Sequence, residues 1–130
     1  LKYDVPIITG LGWLKLSTPK NFFNNDILLR WDYSYTYRRR KPSKKYSEIF
    51  GHTPLSLEEF HQYEYLVEGV DHIVIGSGFQ NRMKVMKNLY EYLHQRIAEV
   101  TIVETPVAVA RFNDLLLNDS KVLGLFHLTC

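Results

Sequence analysis

A chain of 130 residues with 45% hydrophobic and 23% charged side chains has the composition of a folded globular domain, which excludes a disordered or collagen-like chain. No apolar run approaches the roughly 18 residues of a spanning helix, so no membrane insertion is expected; the single cysteine, Cys130, excludes an intrachain disulfide framework and favours a reducing compartment. The net charge of +2 hides an asymmetry, because six of the 16 basic residues (Arg38, Arg39, Arg40, Lys41, Lys44 and Lys45) crowd one stretch and leave the remainder mildly acidic.

Residues 1–10 read as a terminal arm or small strand. Leu11 to Leu16 alternates apolar and polar positions and predicts a first strand. Turn residues bracket Phe22-Phe23, and a second strand is expected from Ile27 to Tyr33. Tyr33, Tyr35 and Tyr37 alternate with Ser34 and Thr36, so the tyrosines of an extended segment share one side. The basic run follows them directly. Aromatics beside arginines can stack bases and neutralise phosphates. With only one basic stripe on an otherwise acidic body, however, a solvated loop guarding a sheet edge is the better reading, and nucleic acid is not expected as a partner.

A helix is expected from Leu57 to Glu68. Ser56-Leu57-Glu58-Glu59 has the spacing of a capping box, in which the serine oxygen takes the Glu59 amide and the Glu59 carboxylate reaches back, and Gly69 supplies a left-handed stop. Val70 to Gly78 is a buried strand that ends in the turn Gly76-Ser77-Gly78. Met83, Met86, Leu89, Tyr90, Leu93 and Ile97 recur at helical spacing and predict an amphipathic helix. Glu99 to Val103 is the next strand. Thr105-Pro106 reads as an N-cap followed by a first-turn proline. Lys121 to Leu128, apolar on both faces, reads as a central strand. This alternation of strand and helix implies a parallel pair and an α/β class.

Candidate chemistry is sparse. The third glycine of a dinucleotide fingerprint is replaced by Asn81, and Ile75 occupies the first glycine of a hydrolase elbow, so neither motif is complete. His52, His61, His72, His94 and His127 show no ligand spacing, so no metal and no cofactor is expected. An anion site remains open at Gly76, Ser77, Gly78, Asn81 and Arg82. If Asn81 capped the next helix, Arg82, Lys84 and Lys87 would crowd its positive end against the helix dipole, and such a broken local rule often marks a site. His127 and Thr105 are expected to line a pocket with that turn, His127 more as a hydrogen-bonded core histidine than as a base.

The run Ile73-Val74-Ile75-Gly76-Ser77-Gly78, the spacing Thr105-x-x-Ala108-x-x-x-Phe112-Asn113 and the closing Gly124-Leu125-Phe126-His127-Leu128-Thr129-Cys130 resemble the Mth-type domain family. Trp13-x-Lys15 and Trp31-Asp32-Tyr33 extend the likeness, and the ending is similar to the adipogenesis-associated branch. A complex I assembly factor is a more distant relative within the same family. The resemblance implies one three-layer α/β domain over residues 1–130, with helices around a mixed central sheet, a small β extension, and a final strand antiparallel to the others. It implies a non-catalytic assembly or regulatory role through protein partners, in the cytoplasm or alternatively in mitochondria. Phe112 stands where the family often carries tyrosine. The alternative to a partner-binding role is an anion-binding or phosphorylated-metabolite-binding protein, even an enzyme, built on the glycine turn.

Overall fold

A computed structural model describes residues 4–130. Strands β1 (Gly10–Gly12), β2 (Lys15–Ser17) and β3 (Phe22–Phe23) form a small antiparallel sheet. Strands β4 (Ile27–Arg30), β5 (Tyr35–Tyr37), β6 (His72–Gly76), β7 (Glu99–Val103) and β8 (Val122–Phe126) form the main sheet in the order β5-β4-β8-β6-β7.

The expected first strand is in fact a hairpin. Leu11 pairs with Leu16 across a turn in which Leu14 takes a φ of 53°, so the alternation belongs to two short strands. The second strand likewise stops at Arg30. Tyr33 sits in the turn at a φ of 73°, which leaves only Tyr35 and Tyr37 together on β5. The arm before β1 is docked rather than loose: Ile8 is buried, and its amide and carbonyl both bond to the Asn113 side chain (2.8 and 3.0 Å). Residues 1–3 of that arm lie outside the described residues.

β6 is parallel to both β7 and β8, and β8 is antiparallel to β4. The resemblance's expectation of a final strand antiparallel to all others is therefore corrected. Two helical crossovers, β6 to β7 and β7 to β8, bring the chain back in the same direction each time, and only the hairpin strands β4 and β5 make the sheet mixed.

The crossovers cover opposite faces. Helix α3 (Lys87–Arg96) buries Leu89 and Leu93 against Ile73, Ile75, Leu123 and Leu125. Helix α4 (Thr105–Leu117) buries Ala108, Val109, Phe112 and Leu116 against Val74, Val122 and Phe126, alongside Leu16 and Phe23 of the small sheet. This is the three-layer arrangement, with β8 central and buried throughout. Each large side chain so buried contributes about 1.5–3 kcal/mol before entropy. Gly124 makes one of these contacts possible: a Cβ there would lie 2.5 Å from the Phe126 ring, which meets Phe112 edge-on at 5.3 Å. Among the described residues no helix is long and apolar enough to cross a membrane.

Three expected helix boundaries move. Short helices α1 (Ser47–Phe50) and α2 (Leu57–Phe60) appear before β6, and α2 tightens into a 3-10 helix over His61–Leu66 in place of one α-helix to Glu68; Gly69 does stop the chain, at a φ of 78°. Asn81 does not cap α3, which begins six residues later at Lys87. The intervening chain is held extended because Leu55 pairs with it, donating to Lys84 O (2.7 Å) and accepting from Met86 N (3.0 Å). Met83 and Met86 thus precede the helix, and Tyr90 faces water beside His94. Thr105 is the first residue of α4 rather than its cap, which is Glu104.

Candidate functional site

The ends of β6 and β8 meet the start of α4 at the carboxyl edge of the sheet, where crossovers leave towards opposite faces. Ligands of open α/β sheets favour such edges. Here the protein fills much of the crevice itself. Ser77 is buried, and its hydroxyl is held between Asn81 Oδ1 and the Val103 carbonyl, both acceptors. The Thr105 hydroxyl accepts the Gly78 amide (2.8 Å) and donates to His127 O (2.7 Å). The amides of Ser77, Phe79, Gln80, Asn81 and Arg82 all bond to backbone carbonyls, those of residues 79, 80 and 82 to Thr129 or Cys130. Gly76, Ser77, Gly78, Thr105 and His127 are brought together in space, but Thr105 and His127 are buried and line none of the cavities described below. Their donors are nonetheless consumed internally, and with no helix beginning at Asn81 the expected dipole clash is lifted for Arg82 and Lys84 and remains only for Lys87, the first residue of α3.

His127 is oriented from a distance. Its Nδ1 lies 2.6 Å from Asp26 Oδ2, 101 residues away in sequence, and its Nε2 lies 3.2 Å from Thr129 Oγ1. The other Asp26 oxygen accepts the Leu128 amide at 2.8 Å. Asp26 begins a buried charge network that sequence reasoning missed. Arg38 donates to it (3.3 Å) and clasps Glu59 with two bonds, Nε to Oε2 (2.8 Å) and Nη2 to Oε1 (2.9 Å). Ser43 (2.5 Å) and Tyr63 (2.6 Å) donate to the remaining lone pairs of Glu59, while the half-exposed Arg40 reaches Asp26 (3.0 Å). The capping box is thus half formed: Ser56 Oγ takes the Glu59 amide, but the Glu59 carboxylate turns inward and Ser43 takes the Ser56 amide. Arg38, expected in a solvated run, is buried. No signal distinguishes it from its basic neighbours except the alternation that places it opposite Tyr37.

These contacts tune the charges. Burial alone would raise the Asp26 carboxyl, but the His127 hydrogen bond and charge, the Leu128 amide and Arg38 outweigh it and hold it below its ordinary value. Burial likewise opposes the Arg38 charge, and Glu59 more than restores it. Burial and then Glu59 push the Tyr63 phenol up. For Asp26, a lowered folded value means a stabilisation complete above the ordinary value of about 3.9 and lost as pH falls through the folded one. Wild type is therefore expected to lose stability more steeply than Asp26→Asn as pH falls below about 4, as chemical denaturation at each pH would show. Parallel slopes would contradict the assignment.

Beside the glycine turn, a surface cleft of about 360 Å³ is lined by Phe50, His52, Gln80, Asn81, Arg82 and Lys84. Arg82 Nη1 stands 3.3 Å from His52 Nε2, Lys84 donates to Asn81 O (3.2 Å), and Cys130 Sγ lies 3.9 Å from His52 Nδ1. The lining holds two cations and no carboxylate. Two other surface cavities carry acidic side chains, Asp32 and Glu68 in one and Asp71, Glu99 and Asp119 in the other. Among the described residues no group of three or more His, Cys, Asp or Glu side chains is placed to hold a metal ion.

A mixed five-stranded sheet between two helical layers, with its carboxyl edge closed by the segment 127–130, defines an α/β domain of the Mth type. The chain belongs to the DUF498/DUF598 family, described as proteins of unknown function, whose family model matches residues 8–127. It is similar in fold to a conserved hypothetical protein of Pyrococcus horikoshii at 20% identity, with a TM-score of 0.77 over 95% of this chain and 98% of that one. The protein MT938 (21% identity, TM-score 0.72) is covered to 99% against 96% of this chain. A protein described as an outer membrane protein of Bartonella henselae (17% identity, TM-score 0.73) matches over 98% of both chains. At these identities the likeness carries the fold alone.

Proposed function

We propose that the protein binds a small anion, the phosphate or carboxylate of a metabolite, in the cleft between His52 and the segment 80–84. The observation that carries this reading is the pairing of Arg82 and Lys84 in a concave lining without a carboxylate. Because the amides of the glycine turn are already bonded, binding is through side chains: the Arg82 guanidinium supplies a planar fork for two oxygens, Lys84 a point charge, and Asn81 and Gln80 polar amides. Gly76, Ser77 and Gly78 act as the scaffold that fixes the loop, with Asn81 tied to Ser77. Thermal unfolding at low salt against phosphates, nucleotides and carboxylates tests the reading. A ligand at about 100 times its dissociation constant adds about 2.7 kcal/mol, and Arg82→Ala, an exposed substitution, removes the shift. Absence of any shift, or a shift that survives Arg82→Ala, overturns it.

A second reading, an assembly or regulatory protein acting through a protein partner in the cytoplasm, is supported by the resemblance to the adipogenesis-associated branch and by one structural observation. Tyr35 and Tyr37 pack against Phe23 (centroids 4.8 and 6.0 Å) yet stay exposed on β5, one of the two edge strands of the main sheet. Edge strands with exposed aromatics are sites of strand addition. Affinity capture with wild type and with Tyr35→Ser is expected to differ by the loss of the specific partner from the variant; identical capture counts against this surface.

A further inference from the structure

The second half of the basic stretch and the segment after it form one continuous helical piece, a 3-10 helix over Lys41–Tyr46 running directly into α1. At its end Ile49 is 78% exposed, more than any other large hydrophobic residue among those described, and Phe50 beside it is partly exposed. The chain reverses at Gly51, so the two side chains sit at a tip. Cations lie along the same piece and in the cleft beside it. Lys41 and Lys44 are exposed on the same helical piece, Arg39 precedes it, and Arg82 and Lys84 share the cleft that Phe50 lines. Lys45, one turn before Ile49, is held 3.0 Å from Glu58; Glu48 is the exposed carboxylate within the tip itself.

We propose that this tip docks the protein on an anionic lipid surface, lying on the bilayer without crossing it. An isoleucine with most of its surface free has no wall around it to make a groove for a peptide side chain. Lipid needs no groove, because acyl chains close around a protruding apolar group while neighbouring lysines and arginines meet the headgroup phosphates. Two apolar side chains and a handful of cations give weak, reversible, salt-sensitive attachment, since each cation near an anionic surface strengthens binding about fivefold.

The test is co-sedimentation of the full chain with phosphatidylcholine vesicles with and without phosphatidylserine, at low and high salt. Binding is expected only to the phosphatidylserine vesicles and only at low salt. Ile49→Ser should weaken it about tenfold and Lys41→Glu with Lys44→Glu more than tenfold, with thermal unfolding unchanged because all three positions are exposed. Ile49 lies outside the cleft lining, so Ile49→Ser leaves the small-anion response intact. Failure to bind phosphatidylserine vesicles at low salt overturns the proposal. So does equal binding by Ile49→Ser, or tighter retention on poly-glutamate or single-stranded RNA, either of which would make the surface a general polyanion patch.

Discussion

Arg38→Ala is expected to destabilise the domain by about 3–5 kcal/mol, read as a lower urea midpoint at unchanged m-value. The loss arises less from the pair than from what it leaves behind. Glu59 is fully buried, and without the guanidinium its carboxylate keeps only the Ser43 and Tyr63 hydroxyls as hydrogen-bond donors from side chains. Pro54 O also loses its donor. Arg38→Lys should rescue little, because an ammonium cannot make the two-pronged contact with both Glu59 oxygens. Arg38→Met combined with Glu59→Leu should lie much closer to wild type, since both buried charges then vanish together, and Asp26 retains His127, Arg40 and the Leu128 amide. If the double variant were as unstable as Arg38→Ala, the cost would lie in packing and not in an unpaired charge.

Gly78→Ala is the second large effect, about 2–5 kcal/mol. Gly78 has a φ of 109°, and a Cβ there would stand 2.5 Å from the Cys130 carbonyl carbon and oxygen and 2.9 Å from the His127 ring. Backbone strain and overpacking each cost about 1–3 kcal/mol, and neither can relax without moving the last strand's continuation. That continuation supplies the carbonyls that hold the amides of Phe79, Gln80 and Arg82. The variant should therefore lose part of the small-anion response as well as stability, although residue 78 does not line the cleft. Thermal unfolding with an anion titration on the same sample checks both; a stable variant with a full anion response would separate the glycine turn from the cleft.

The two effects differ in how far they can be read from the chain. The glycine turn is legible because β-branched residues at 73–75 demand a strand and the two glycines end it, and the close approach behind Gly78 gives that punctuation its physical reason. The network around Arg38 is not legible. Arg38 is one of six basic residues in a short stretch, Glu59 satisfies a capping pattern that explains it adequately without any distant partner, and Asp26 sits in ordinary turn chemistry. Ion pairing depends on which side chains fold against one another, and nothing in local spacing encodes a partner that lies 21 or 101 residues away. The start of α3 failed for a related reason. Met83 and Met86 fit a helical stripe and are apolar, but pairing with Leu55 outbids helix formation before Lys87.

Local pattern thus determined the order of strands and helices from β6 onwards, the α/β class, the buried central strand and the turn at 76–78, because hydrophobic periodicity and glycine, proline and capping residues act over a few positions. Tertiary structure decided the direction of β8 relative to each neighbour, the inward turn of Arg38 and Glu59, the orientation of His127 by Asp26, and the gathering of His52 with Arg82 and Lys84 into one cleft. Those depend on contacts between segments far apart in sequence, whose energies exist only once the chain has closed the loops between them.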